Sequence, residues 1–401
     1  MIILCIIFFV SLFLILHSYI FFPVSLKLIY KFFQSKSAPK EIEPQFPQVC
    51  IIMSVYNEEK VIEKKIKSII NSHYPAEKLS IYIGSDASSD GTNAIMRQWA
   101  SQYPRFKFFE YSERRGKSSV LNDLLDEILK DYKPDPDIIY VFTDASVFLG
   151  EETIQTLIQN FNSKEIALAD ARIVPVSQLQ GGISHSEKFY LGREADIKFM
   201  EGEIWGCMMG VFGGCFAVRS NFACKVPPQL VVDDFYITMR VLEQGGKAIY
   251  DNKAVCFEGI PDEMKEEFKR KKRISSGNFQ NLLAFLHFLW SGPLSRWYCY
   301  VSHKVLRWMG PFFIIGMLAS SFVLCMMGLW FFRWPFISLL ILFLFFPLLD
   351  YFLFSLKIRI PMLRHIRYFV MMNIALFSGF INFSRGIRKS SWEPPKRMND
   401  L

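Results

Sequence analysis

The sequence predicts an α/β domain with a mainly parallel sheet, joined to α-helical segments that cross a membrane. Of its 401 residues, 51% are hydrophobic and yet 21% are charged, so apolar and charged residues must be segregated along the chain. Uncharged apolar segments lie near both ends, and short apolar runs alternate with amphipathic charged stretches between them. These properties exclude a disordered chain and a single uniform globule.

The first segment is predicted to anchor the chain in a membrane. Residues 2–22 contain no Asp, Glu, Lys or Arg and are long enough to cross a hydrocarbon core of ~30 Å as a helix. A signal peptide would need a basic start, a shorter apolar core and a small-residue cleavage site, which are missing here. Lys27 and Lys31 follow the span, which indicates that this end is cytoplasmic. We therefore predict an anchor over residues 1–33 and a Pro-containing linker over residues 34–47.

Residues 48–281 are predicted to form the α/β domain. Apolar runs with the length of buried strands occur at 49–55, 79–84, 106–111 and 138–143. Apolar residues recur at helical spacing in the stretches 58–71, 93–103 and 117–130. Alternation of strands and helices implies a mainly parallel sheet covered on both faces, and such sheets bind ligands beyond the carboxyl ends of their strands.

The C-terminal third becomes apolar again. Residues 282–307 mix aromatic with basic side chains, as in helices that lie in the membrane interface. Within a membrane region over 308–384, residues 308–331 and 334–354 are strong spans, and 366–384 is weaker. Three spans would leave the basic tail, 385–401, outside the cell, whereas basic residues favour the cytoplasmic side. Either 366–384 is re-entrant or interfacial, or this tendency fails here.

Charge and cysteine content narrow the class of protein further. The net charge is +8, from 46 Lys and Arg against 38 Asp and Glu. The basic residues cluster beside the apolar runs, which favours membrane lipid over nucleic acid as the partner. The 8 Cys form no CxxC pair and no Cys–His group at zinc spacing. We expect a reduced, cytosolic, zinc-free domain.

Polar residues that suit ligand binding follow two of the predicted strands. Tyr56 and Glu58 come directly after the first strand, and Asp86 lies just past the second. A carboxylate at a strand end can accept hydrogen bonds from a base or ribose. Asp90 or Thr92 is expected to cap the next helix, because a cluster of Asp, Ser and Gly is by itself typical of a loop and cap.

Further charged residues are expected near the same edge of the sheet. Lys117 opens a helix, where a phosphate can bind free N–H groups and the lysine charge. Asp144 follows a strand, where a divalent cation can bridge it to diphosphate oxygens. Asp233 and Asp234 are adjacent, and repulsion between them can raise one pKa, which suits a general base. Residues 269–273 are all basic.

The order of these motifs resembles that of membrane-bound family 2 glycosyltransferases, which include cellulose, hyaluronan and chitin synthases and shorter bacterial relatives. The resemblance covers residues 49–283, with a helical tail of similar plan beyond. It rests on five blocks in order: 55–59 (Val-Tyr-Asn-Glu-Glu), 86–92, Gly116-Lys117 to Asn122, 143–146 (Thr-Asp-Ala-Ser) and Asp233-Asp234.

The resemblance implies a GT-A fold, a nucleotide-diphosphate sugar donor, a Mg or Mn ion and inversion at the anomeric carbon. It assigns Asp86 to the uracil, Tyr56 and Glu58 to the nucleotide pocket, and Lys117 to the phosphates. Asp144 matches the first acid of the family's DxD motif and would hold the metal.

The resemblance also assigns the groups that take part in transfer. Asp234 matches the final acid of a TED-like motif and would be the catalytic base, with Asp233 beside it. Arg273 matches the Arg of a QxxRW motif and would hold the leaving diphosphate, with Arg270 among the nucleotide-binding residues.

Two positions depart from the family's pattern. The second acid of DxD is Ser146, so the metal site would have one charged ligand fewer. Ile274 replaces the aromatic residue of QxxRW, which in the family accompanies processive synthesis. This difference favours addition of one sugar or a few. A glycine-rich stretch, 206–214, either faces the acceptor or reflects tight packing, and the sequence does not decide between the two.

The predicted function is transfer from a nucleotide sugar, expected to be a UDP-sugar, to a lipid-linked or glycan acceptor in glycolipid or polysaccharide synthesis. The protein would be a multi-pass protein of the inner membrane with its catalytic domain in the cytoplasm. One alternative is a processive synthase that exports its polymer. Another is a weakly active, nucleotide-sugar-binding subunit of a synthase complex. The sequence does not indicate the oligomeric state.

Overall fold

The computed structural model describes residues 1–34, 45–133, 135–176, 184–259, 264–356, 358 and 360–386. Most of the predicted linker and the tail from residue 387 lie outside this part. The strands are β1 (Gln48–Val55), β2 (Leu79–Asp86), β3 (Phe106–Tyr111), β4 (Ile138–Thr143), β5 (Val147–Leu149), β6 (Ile166–Val176), β7 (Cys215–Arg219) and β8 (Lys247–Gly259). The helices are α1 (Ile2–Leu16), α2 (Phe22–Gln34), α3 (Ile62–Ile70), α4 (Thr92–Gln102), α5 (Lys117–Asp131), α6 (Thr153–Gln159), α7 (Ser184–Trp205), α8 (Asp233–Glu243), α9 (Met264–Ala284), α10 (Leu294–Cys299), α11 (Leu306–Trp308), α12 (Gly310–Met326), α13 (Arg333–Leu340), α14 (Phe346–Ser355) and α15 (Pro361–Ser384).

The chain divides into two compact units. The helical unit contains Met1–Leu28, His185–Tyr190 and Glu263–Gly386. The sheet unit contains the described residues of Ile29–Ser184 and Leu191–Asp262. The boundaries that the sequence predicts at residues 33, 47, 281, 307 and 384 stay predictions.

The sheet unit is built on one eight-stranded sheet with the order β3-β2-β1-β4-β7-β6-β8-β5. The first four strands of this order are parallel to one another, as the sequence predicts. The sheet then becomes mixed, because β7 lies antiparallel between β4 and β6, and β5 pairs antiparallel with β8. The mainly parallel description therefore applies to the half that carries the predicted motifs.

Helices cover the sheet because successive strand residues face opposite sides. On β1, Val49, Ile51 and Met53 are fully buried in the core that includes Ile66 of α3 and Leu157 of α6. The intervening β1 side chains point to the opposite face, and the helix α5 packs against β1 and β2. Burial on both faces explains why these strands are continuous apolar runs in the sequence.

The helical unit contains the segments that suit a membrane. By length and composition, Ile2–Phe33, Trp330–Ser355 and Pro361–Ser384 are each able to cross one, and Leu294–Trp308 with Gly310–Met326 form a pair bent by 59°. Short π-helical segments interrupt three of these helices. Only 17% of the most apolar window of Ile2–Phe33 and 6% of that of Trp330–Ser355 are buried inside the protein. Apolar surface of this extent suits lipid rather than water.

Helix α15, the weakest predicted span, packs along the polar helix α9. Ser275 Oγ donates to the Leu376 carbonyl at 2.8 Å, and Ser276 Oγ donates to the Gly379 carbonyl at 3.1 Å. A methyl group at Gly379 would overlap with Ser275 and with the carbonyl of Lys272. The last turns of α15 therefore lie beside the basic part of α9.

Candidate functional site

The strand register brings the predicted ligand-binding residues to one edge of the sheet. Val55 pairs with Ser85 and Asp86 pairs with Tyr111, so β1, β2 and β3 end together. On the other side of β1, Thr143 of β4 pairs with Cys215 of β7. The residues that follow these strands therefore share the carboxyl edge, as expected for a ligand site in a parallel sheet.

The loops after β1 and β2 are joined by reciprocal hydrogen bonds. The backbone N–H groups of Glu58 and Glu59 donate to Thr92 Oγ1 and Asp90 Oδ2 at 2.8 and 3.1 Å. The N-cap of α4 is Gly91 rather than the predicted Asp90 or Thr92, and it has no side-chain cap; Asp90 Oδ1 instead accepts from the N–H of Thr92, the first residue of α4, at 3.0 Å. Asn57 adopts a left-handed backbone with φ 51°, which asparagine tolerates. These contacts fix the loop after β1, which carries Tyr56 and Glu58, against the loop after β2.

Asp86 shapes the turn that opens α5. Its Oδ1 accepts from the Arg115 N–H at 2.7 Å and its Oδ2 accepts from the Gly116 N–H at 2.9 Å. Gly116 has a φ of +89°, which favours glycine. The predicted contact of Asp86 with uracil stays a prediction. Close by, the guanidinium of Arg114 lies 3.7 Å from the ring centre of Tyr56, which forms a flat, charged surface next to the predicted nucleotide pocket.

Lys117, at the first position of α5, lies among the predicted carboxylates. Its Nζ is 2.8 Å from Asp144 Oδ1 and 3.5 Å from Asp233 Oδ2. Burial by itself would lower the pKa of Lys117, but Asp144, Asp233 and Asp234 outweigh that effect and raise it. Lys117 therefore stays positively charged, and it pairs both with Asp144, the predicted metal ligand, and with Asp233, beside the predicted base.

Asp234 is a carboxylate whose pKa departs clearly from the ordinary value. Burial and then repulsion from Asp233 raise the pKa of Asp234 to about 6, against the attraction of Lys117. Its Oδ1 accepts from the Phe235 N–H at 2.6 Å. The proximity of Asp233 has the effect expected from the sequence, because one acid of the pair is shifted towards neutrality.

The glycine-rich stretch lies against this acid. Gly213 has a φ of +88°, and a methyl group there would overlap with Asp234 Oδ2. The N–H of Phe212 donates to the buried Asp170 at 2.8 Å, and Lys198 Nζ lies 3.4 Å from the Phe212 ring centre. The stretch is therefore tightly packed, as one of the two alternatives has it, and it borders Asp234. That it faces an acceptor stays a prediction.

Sequence reasoning missed the residues that position α8. Ser118 Oγ donates to the Leu230 carbonyl at 3.3 Å. Asn122 exchanges two hydrogen bonds of 2.8 Å with the backbone of Val226. These bonds fix the segment that leads to Asp233, the first residue of α8. Asn122 is part of a predicted motif, but its structural role has no signal in the sequence.

Asp144 and Ser146 are the candidate metal ligands, and they lie two residues apart after β4. In the described part of the chain, no group of three or more His, Cys, Asp or Glu residues has the geometry to hold a metal ion. Asp144 keeps 39% of its side chain exposed. One carboxylate and one hydroxyl suit a hard cation such as Mg²⁺ or Mn²⁺ if diphosphate oxygens and water complete its shell.

The predicted arginines belong to the helical unit. Both Arg270 and Arg273 lie on α9, and Arg270 Nε is 2.9 Å from the fully buried Glu267. Their predicted contacts with the nucleotide and the leaving diphosphate stay predictions.

Two family models match the chain. One described as glycosyl transferase family 2 matches residues 50–225. Another, described as glycosyl transferase family group 2, matches residues 138–381, which is more than half of the chain.

Named relatives span part of the same region. A beta-monoglucosyldiacylglycerol synthase of a Synechocystis species is 25% identical over 281 residues, which is 65% of this chain and 55% of the relative. A poly-beta-1,6-N-acetyl-D-glucosamine synthase of Staphylococcus epidermidis is 22% identical over 282 residues, or 69% of this chain and 64% of the relative. The chain thus spans less than two thirds of the length of these relatives.

Among solved structures, the mannosyltransferase PcManGT from Pyrobaculum calidifontis, in complex with GDP-Man and Mn²⁺, has a similar fold. The TM-score is 0.67 at 19% identity, and the match covers 94% of this chain and 99% of that chain. The predicted α/β fold of the GT-A type is confirmed.

Proposed function

We propose that this chain, which belongs to glycosyltransferase family 2 as its motifs predict, acts in glycolipid or polysaccharide synthesis and transfers sugar from a nucleotide sugar to a membrane lipid with inversion. The observation that carries this proposal is the group formed by Lys117, Asp144, Asp233 and Asp234 at the carboxyl edge of the sheet.

Asp234 acts as the general base in this proposal. An acceptor hydroxyl is a poor nucleophile until a base removes its proton during attack. The raised pKa of Asp234, about 6, makes it a stronger base than an ordinary aspartate while it stays mostly ionised at neutral pH. Gly213 leaves room directly beside the carboxylate, so the base keeps a defined position.

Lys117 and Asp144 stabilise the negative charge of the diphosphate in this proposal, the first directly and the second through a metal ion. The lysine supplies a permanent positive charge for a leaving group that becomes more negative as the glycosidic bond breaks. Asp144 and Ser146 would hold a divalent cation that, when bound, neutralises the same charge as a Lewis acid. The complex of PcManGT with GDP-Man and Mn²⁺ supports a nucleotide sugar and a metal as partners. We propose UDP as the nucleotide, from the likeness of the motifs to UDP-sugar-dependent synthases.

A lipid acceptor is favoured by the helical unit. Three long apolar helices indicate a membrane protein, and one relative is named a glucosyldiacylglycerol synthase. Ile274 in place of an aromatic residue favours short additions over processive synthesis. We propose a multi-pass protein of the inner membrane, with its sheet unit in the cytoplasm.

The C-terminal tail is proposed to stay on the cytoplasmic side. Helix α9 follows the sheet unit in the chain and carries five basic residues in a row, 269–273, so that part cannot enter a bilayer. Gly379 of α15 packs against Lys272 and Ser275 of this part. The end of α15 is thus level with the charged part of α9, which agrees with the positive-inside tendency. A tag after Leu401 should be digested in inside-out vesicles and protected in right-side-out ones, and the reverse would refute this topology.

The test of function is a screen of the purified full chain for nucleotide release. UDP-glucose, UDP-N-acetylglucosamine and GDP-mannose are each supplied with Mn²⁺ and with diacylglycerol in mixed micelles. We expect release of UDP from one UDP-sugar that requires both the metal and the lipid, with a product one or a few sugars long. A long ladder of products would favour a processive synthase. Binding of nucleotide without turnover of any donor would instead indicate a binding subunit.

A further inference from the structure

Lys65 is a fully buried cation in the face of a helix that packs on the sheet. The buried residues of α3 are Ile62, Lys65, Ile66 and Ile69, so a lysine occupies a position that the helical period assigns to the core. Its side chain has an exposed fraction of 0%. A buried ammonium costs several kcal/mol unless charge or hydrogen bonds compensate for it, so its presence in this face calls for a function.

Lys65 donates hydrogen bonds to both ends of the turn that carries the candidate metal ligands. Its Nζ donates to Thr143 Oγ1 at 2.8 Å and also to the carbonyl of Val147. Thr143 ends β4, Val147 begins β5, and Asp144 and Ser146 lie between them. Thr143 Oγ1 in turn donates to the Gly214 carbonyl at 2.9 Å.

A second contact of α3 reinforces the same turn. Ser68 Oγ donates to the Lys65 carbonyl at 2.8 Å and accepts from the Leu149 N–H at 3.2 Å. On the outer side of the turn, Lys117 contacts Asp144. The turn is therefore held between two lysines, one buried beneath it and one partly exposed above it.

The charges around Lys65 indicate what its ammonium acts on. Cys215 and Cys256 lie near it, but burial raises the pKa of both thiols, so they stay neutral. Asp144 is the carboxylate among the groups that raise the pKa of Lys65, against the larger effect of burial. Burial lowers the pKa of Lys65 to about 8, so it is mostly protonated at neutral pH.

We propose that Lys65 is a positioning residue of the diphosphate subsite, whose buried charge holds the turn 143–147 and offsets the negative charge that a bound diphosphate brings to it. This inference rests on the proposed function. Ser146 gives the turn only one acid, Asp144, and two lysines act on its charge, Lys117 above the turn and Lys65 beneath it. A diphosphate then approaches a turn whose negative charge is already offset.

Lys65→Met removes the charge with little change in volume, and Lys65→Gln keeps an N–H donor without the charge. Lys67→Met is the matched control, because Lys67 lies on the same helix with 56% of its side chain exposed and pairs with Glu63. Affinities for UDP, GDP, uridine and guanosine are measured by calorimetry on the purified full chain with fixed Mn²⁺. Thermal unfolding checks that each variant is folded.

Both variants of Lys65 should bind the nucleoside diphosphate about tenfold more weakly, as expected from loss of one charge in a medium of low dielectric constant. Their affinity for the nucleoside should be unchanged, and Lys67→Met should match the wild type throughout. With the donor identified, the loss should appear in its KM, with kcat nearly unchanged.

An unchanged ratio of diphosphate to nucleoside affinity in Lys65→Met would overturn the inference, even if both affinities fall together. Wild-type affinity for the diphosphate in Lys65→Gln would also overturn it, because hydrogen bonding would then suffice without charge. A wild-type protein that binds neither UDP nor GDP would refute the proposed function and this inference with it. The first two outcomes leave the proposed function intact.

Discussion

Replacement of Asp234 by Asn tests the proposed base through both activity and stability. Asparagine has the shape of aspartate and can still accept the hydrogen bond from the Phe235 N–H, but it neither ionises nor takes a proton. Loss of a general base lowers rates by about 10²–10⁴-fold. We expect a fall of this size in kcat, with the affinity for the nucleotide largely retained.

The same substitution should stabilise the fold at neutral and alkaline pH. The rise in the pKa of Asp234 from 3.8 to about 6 means that the folded protein disfavours the ionised form, at a cost of up to about 3 kcal/mol. Because part of the site is open to solvent and Lys117 shares the charge, we expect about 1–2 kcal/mol. The cost is fully present above pH 6 and is lost as the pH falls from 6 to below 3.8, where the acid is protonated in both states.

Two measurements on the purified protein check this reasoning. Initial rates of nucleotide release from the wild type should rise through a pH near 6 as Asp234 loses its proton. Thermal unfolding of Asp234→Asn should lie above that of the wild type by about 2–6 °C at pH 8, and the difference should shrink at pH 4.5. Asp126→Asn is the control, since 48% of the Asp126 side chain is exposed and it pairs with Lys225. Turnover of Asp234→Asn within tenfold of the wild type would refute the assignment.

Three further substitutions probe the surroundings of this acid. Gly213→Ala should lower kcat at least tenfold by displacing Asp234. Gly245 has a similar φ of +83° and open space around it, so Gly245→Ala should lose only stability, by about 1 kcal/mol. Equal activities of the two variants would contradict the steric argument. Ser146→Asp adds a carboxylate ligand and should lower the Mn²⁺ concentration for half-maximal rate about tenfold, and an unchanged metal titration would exclude Ser146 from the metal site. Lys117→Met should move the acidic limb of the pH–rate profile to higher pH, because Lys117 lowers the pKa of Asp234; a limb at the same pH would show that this attraction is negligible.

The motif-bearing half of the fold could be predicted because it is encoded locally. Each of β1 to β4 is an apolar run that ends within two residues of its predicted end, since burial on both faces leaves a continuous pattern. The mixed half could not be predicted in this way. The strand β5 has only three residues, Val147–Leu149, and its pairing with β8 joins positions about a hundred residues apart.

The sequence predicts which charged residues follow the strands at the carboxyl edge of the sheet, but not the contacts that they make there, and their functional roles stay predictions. Charge and position after a strand identify Asp86 and Asp144, whereas the backbone N–H groups that Asp86 binds depend on how β2 approaches α5. Lys65 gave no signal, because a lysine in an amphipathic helix is normally on its solvated face. Lys65 is buried only because the face of α3 that carries it packs on the sheet.

The charges at the site also bear on the proposal that a cation accompanies the donor in spite of Ser146. Lys117 is one positive group among three carboxylates, those of Asp144, Asp233 and Asp234. With Lys65 beneath the turn, two positive groups face three negative ones. A nucleotide diphosphate adds further negative charge, which these lysines cannot balance, and unpaired charge in a partly buried site is costly. In the proposed function, the sum of charges around Lys117 therefore favours a divalent ion beside the donor, and Ser146 in the DxD position would weaken its site without removing that preference.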